Sequence, residues 1–86
     1  MTTMSTAEYL EFNGYEILAV GRTARGTVTK APGTIWVIGK RGGIEYAWLQ
    51  RSEVGRPHFG GRVCSTVEEA KAAAPKDARM TGIVWA

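Results

Sequence analysis

A chain of 86 residues buries only about 60% of the surface its unfolded form exposes, which leaves room for one core, so a single domain is expected. With 44% hydrophobic and 22% charged residues it has an ordinary globular composition, so disordered and fibrous classes are excluded. The net charge of +3 is unevenly placed: eight basic residues face two acids between Arg22 and Arg62, while the flanks are acidic, a pattern that suits an anionic partner or else a set of solvated loop charges.

The N-terminal residues 1–5 are rich in Thr and Ser and are expected to be disordered; they carry no basic region before an apolar stretch, so no secretory signal is expected. The following segment places Asn13-Gly14 between two β-rich runs, which predicts a hairpin with strands near 7–12 and 15–22 and a type I′ turn. That register sets Glu11 opposite Glu16, a mildly unfavourable pair. Residues 23–33 form a small, polar, basic loop, with Thr27-Val28-Thr29 as a candidate edge strand.

A second hairpin is predicted over Thr34–Gly39 and Ile44–Arg51, turning at Lys40-Arg41-Gly42-Gly43. Along its second strand Ile44, Tyr46 and Trp48 share one face and Glu45, Ala47, Leu49 and Arg51 the other. The first strand is apolar on both faces and is expected at the centre of the sheet. Ser52–Gly61 reads as a loop with Arg56-Pro57-His58-Phe59 exposed, followed by a short strand at Arg62-Val63-Cys64.

Ser65 with Glu68 forms a capping box that opens a helix, and Pro75 predicts its end, giving a helix over about 66–74 with Val67, Ala70, Ala73 and Ala74 as its apolar stripe. A last strand is predicted over 81–85. The expected fold is a single α+β domain over 1–86: an antiparallel sheet of about five strands, built from two hairpins and the C-terminal strand, packed on one short helix. One helix covers one face, so the other face is expected to be solvated, to pair with a second copy as a homodimer, or to be buried by a partner, with burial favoured.

The reactive side chains are few. Cys64 precedes the helix N-terminus, where a dipole lowers a thiol pKa, and His58 lies six residues upstream as a candidate base; the competing reading is a small buried cysteine. One His and one Cys do not furnish a zinc centre, and Gly39–Gly43 lacks the spacing of a nucleotide loop, so neither metal nor cofactor is expected. The longest apolar runs are far short of the roughly 20 residues a membrane helix needs, and the single cysteine suits a reducing compartment, so a cytoplasmic protein is expected.

The run Arg62-Val63-Cys64-Ser65-Thr66-Val67-Glu68-Glu69-Ala70-Lys71-Ala72-Ala73, preceded by a basic hairpin containing Trp48, resembles the plant ethylene-response-factor DNA-binding domain and the arm-binding domains of phage integrases over residues 34–74. The resemblance implies three antiparallel strands on one helix and a sheet that reads the major groove. The added N-terminal and C-terminal elements depart from that pattern and are placed to cover the face that would meet DNA. In size and in lacking a catalytic set, the chain is also similar to the small inhibitors that phages and mobile elements use against host defence, anti-CRISPR proteins among them; that likeness assigns no residue.

The reading that follows is a non-enzymatic binding protein, cytoplasmic in a bacterial host if phage-type, that inhibits or modulates a protein or nucleoprotein complex stoichiometrically. Partner-binding residues are then expected among Arg22, Arg25, Lys30, Lys40, Arg41, Arg51 and Arg56, with Trp48, His58 and Phe59 as anchors. Direct nucleic-acid binding by the basic sheet is the alternative, and a structural homodimer subunit the third.

Overall fold

The computed structural model describes residues 4–30 and 32–86. The elements run α1 (Thr6–Phe12), β1 (Glu16–Thr23), β2 (Gly33–Lys40), β3 (Gly43–Gln50), β4 (His58–Phe59), α2 (Val67–Ala78) and β5 (Ile83–Trp85). The five strands form one antiparallel sheet in the order β4-β3-β2-β1-β5, so the chain is an α+β protein with a helix on each face.

The β2–β3 hairpin follows its sequence closely. Eight residues of each strand pair in unbroken register, and the two loop residues, Arg41 and Gly42, have φ of 48° and 81°. Positive φ at both central positions is what a type I′ turn demands, and it matches the right-handed twist of the strands. The alternation in β3 then sorts the core: Tyr46 joins Ile35, Val37 and Ala19 beneath Ala70, Ala74 and Ala78 of α2, while Ala47 joins Trp36 and Ile38 beneath Leu10 of α1. Thr34 through Ile38 are all buried, as a central strand covered on both sides requires.

The first predicted hairpin does not form: residues 6–12 are helical. Ser5 Oγ accepts from the Glu8 N–H at 3.2 Å and the Glu8 carboxylate accepts from the Ser5 N–H at 3.1 Å, a capping box that starts α1. Asn13 ends the helix, and Gly14 follows at φ 87° with its N–H donating to Glu11 O. Asn-Gly signals a left-handed residue, and a helix C-terminus needs one as much as a hairpin does. With the hairpin goes the Glu11–Glu16 pairing. Residues 1–3 of the expected disordered segment lie outside the described residues. The fifth strand is supplied instead by His58-Phe59, within the predicted loop; Arg56, His58 and Phe59 are exposed there, while Pro57 is buried.

Three further boundaries shift. Thr27–Thr29 is irregular, and Arg62–Cys64 contributes only a bridge between Cys64 and Ile44. The α2 cap lies one residue later than Ser65: Thr66 Oγ1 accepts from Glu69 N–H at 3.0 Å, and Glu69 accepts from Ser65 N–H at 2.9 Å. The helix also continues through Pro75 to Ala78. Proline forgoes one intrahelical bond, and burial of Ala74 and Ala78 with the hydrogen bond from the Tyr46 hydroxyl to Asp77 holds the last turn against the sheet. Arg79 then closes the helix at φ 57°, and β5 begins at Ile83 instead of Thr81.

Candidate functional site

Antiparallel pairing decides which loops share an end of the sheet. The β1–β2 loop, the residues after β3 and the α2–β5 connection all emerge beyond Thr23, Gly33, Gln50 and Ile83, which are paired in register. Six cations from three chain segments gather there: Arg22, Arg25 and Lys30; Arg51 and Arg56; and Arg79. Arg22 alone among them is in an ion pair in the described residues, its Nε and Nη2 donating to Glu53 Oε1 at 3.1 and 2.7 Å. That hydrogen bond raises the guanidinium pKa above its usual range and holds the Glu53 carboxyl below its own.

Arg51 ties the end together. Its backbone N–H donates to Pro32 O at 2.8 Å and its Nη2 to Lys30 O at 3.1 Å, which pins the β1–β2 loop against the end of β3. On the α1 side of this contact lies an open cleft of about 360 Å³ lined by Arg22, Thr23, Pro32, Gly33, Arg51 and Glu53. On the α2 side lies a larger one of about 650 Å³, lined by Val28, Thr29, Lys30, Gln50, Arg79 and Thr81. Val28 is 96% exposed, the most exposed large apolar side chain in the described residues.

Five of the ten sequence-predicted site residues, Arg22, Arg25, Lys30, Arg51 and Arg56, are brought to this end. Lys40 and Arg41 are not: the length of β2 puts them at the opposite end, about 23 Å away. Lys40 is engaged there, its Nζ donating to Asn13 O at 2.9 Å and lying 4.7 Å from the Tyr15 ring centroid. Trp48, His58 and Phe59 run along the β3–β4 edge between the two ends. Trp48 stacks on Tyr46 at 6.2 Å and meets His58 at 6.1 Å, whereas Phe59 points to the α1 side and meets Tyr15 at 5.7 Å. Arg79 was absent from the expected set because it sits in an acidic flank; the signal that places it is the return of β5 beside β1.

Cys64 and His58 do not meet. They pair with Ile44 and Trp48 on β3, four residues apart and so about 13 Å along the strand. Cys64 is buried, and burial pushes its thiol pKa up, with nearby Glu69 adding to the shift. No three His, Cys, Asp or Glu side chains cluster among the described residues. No described helix is long and apolar enough to cross a membrane. No family model matches the chain, and comparison with curated proteins and with solved structures gives no match.

Proposed function

We propose that this chain is a non-catalytic binding protein that docks its basic sheet end against an anionic face of a larger protein or nucleoprotein complex and modulates that complex stoichiometrically, in the manner of small anti-defence inhibitors. The observation that carries the reading is the convergence of six cations from three separate segments on one end, with one carboxylate among them in an ion pair. Such a patch concentrates positive potential and steers an anionic partner. The sheet face that the DNA-binding resemblance would use is occupied by Leu10 of α1 over Trp36 and Ile38, so an anionic partner is engaged by the sheet's end instead.

Binding to labelled polyanions tests this. A random-sequence duplex and a polyglutamate peptide are titrated with the protein at roughly 50 mM salt. Binding to at least one is expected, and it is expected to be lost in the double variant Arg25→Glu/Arg56→Glu, whose positions are exposed. Absence of binding to either probe refutes the reading.

A further inference from the structure

The basic end has a shape as well as a charge. Lys30 and Pro32 of the β1–β2 loop, pinned to β3 through Arg51, form a ridge between the two clefts. Arg22 and Arg51 flank it toward α1, and Lys30 and Arg79 toward α2. A ridge between two cationic shoulders complements a groove between two anionic rails.

The residues at the shoulders add a second argument. Arg51 and Arg79 have φ of 60° and 57°, a left-handed backbone that glycine adopts freely and that an L side chain adopts at a cost. Arg41 in the far turn shares this conformation at φ 48°, so the backbone alone marks no site, and the chemistry of the side chains carries the argument. Five of the six cations at this end are arginines, whose planar forks match phosphate oxygens in pairs, where lysine offers a point charge.

We propose that the ridge seats in a groove of double-stranded nucleic acid, with the arginines on either side contacting phosphates of the two bordering strands. This rests on the basic end being the docking surface. A carboxylate-rich protein face carries its charges on flexible side chains and offers no pair of rails at fixed spacing. The rim from β3 to β5 spans three inter-strand spacings, about 14 Å. Phosphates recur every 3.4 Å along each strand of a duplex, so about four on each bordering strand are within reach of the rim; the shoulder cations Arg22, Arg51, Lys30 and Arg79 neutralise one each, and the slope of log affinity against log salt is expected to be about −4.

The test is fluorescence anisotropy with three labelled probes: a random-sequence duplex of about twenty base pairs, one of its single strands, and a polyglutamate peptide of matched charge, each between roughly 50 and 200 mM salt. The duplex is expected to bind at least about tenfold more tightly than the other two, with the slope given above. Arg79→Gly is expected to weaken duplex binding several-fold and to reduce the slope by about one. Glycine suits that left-handed backbone, so an unfolding midpoint no lower than wild type separates lost contact from lost folding. Arg41→Gly, at the far end, is expected to leave duplex affinity unchanged. Equal affinity for duplex and polyglutamate, or for duplex and single strand, overturns the groove assignment and leaves the basic-end reading standing. Failure to bind all three probes overturns both. A loss in Arg41→Gly equal to that in Arg79→Gly overturns the placement of the site.

Discussion

Replacing Tyr46 by Phe removes one hydroxyl from the junction that holds the last turn of α2 to the sheet. Tyr46 is fully buried on β3, and its hydroxyl donates to Asp77 Oδ2 two residues beyond Pro75. A hydrogen bond to a charged acceptor contributes about 1.5–3 kcal/mol. Asp77 is exposed and regains water when the donor is lost, so the low end applies, about 1.5 kcal/mol. For a domain of this size that lowers Tm by roughly 6–12 °C. Burial first, and the Asp77 hydrogen bond second, push the Tyr46 pKa up to about 12 from an ordinary 10. Below pH 10 the phenol is protonated in both folded and unfolded chains and stability does not depend on it. Above pH 10 the unfolded chain releases this proton and the folded one keeps it, so stability declines through pH 12 by roughly 2–3 kcal/mol. Urea unfolding of wild type and Tyr46→Phe at pH 7 and across the alkaline range measures both effects, and amide exchange at Lys76–Met80 locates them. An unchanged midpoint at pH 7, or an alkaline decline that is the same in both proteins, would refute this account of the junction.

Arg79→Gly is expected to raise stability by about 0.5–1 kcal/mol, because glycine is the favoured left-handed residue after a helix and relieves the Cβ clash at φ 57°; thermal unfolding reads the gain, and a lower Tm contradicts it. Gly60→Ala is expected to cost about 1–3 kcal/mol, since the new Cβ would overlap the edge of the fully buried Tyr46 ring; a urea midpoint equal to wild type argues against that packing. Leu10→Ala empties the fully buried contact between α1 and the sheet and is expected to cost about 2–5 kcal/mol, with tryptophan emission shifting to the red as Trp36 gains water. A variant that keeps both its midpoint and its emission places α1 elsewhere.

Where a signal had one physical meaning, the sequence could be read directly. Alternation over Ile44–Leu49 and a continuous apolar run over Thr34–Ile38 led to a hairpin whose two faces and central strand are as expected. Where one signal serves two structures, the local pattern predicts one and the fold takes the other. Asn13-Gly14 requests left-handed backbone without saying whether a strand or a helix precedes it, and the deciding pair is split between Ser5, in the segment expected to be disordered, and Glu8, in the expected first strand. Pro75 is unfavourable within a helix, yet the tethers that outweigh it are Tyr46, 29 residues earlier, and the burial of Ala78, neither of which is local. The same holds for the site. Basic residues in the middle of the chain were visible, but Lys40 and Arg22 are separated by the length of β2, and Arg79 joins Lys30 only through tertiary pairing.

The position of α1 decides how this sheet is available to a partner. A three-strand sheet on one helix has one broad face free for recognition; here Leu10 closes that face over Trp36, Ile38 and Ala47. The edges are restricted as well, since β4 and β5 are two and three residues long, and short edge strands limit pairing with another chain. With faces covered and edges short, the ends of the strands are what remain. At one of them six cations gather around the ion pair of Arg22 with Glu53, whereas at the other the Lys40 ammonium is already engaged by Asn13 O and the Tyr15 ring. Cations left open to solvent are available to an anionic partner, so the first end is where binding is to be sought.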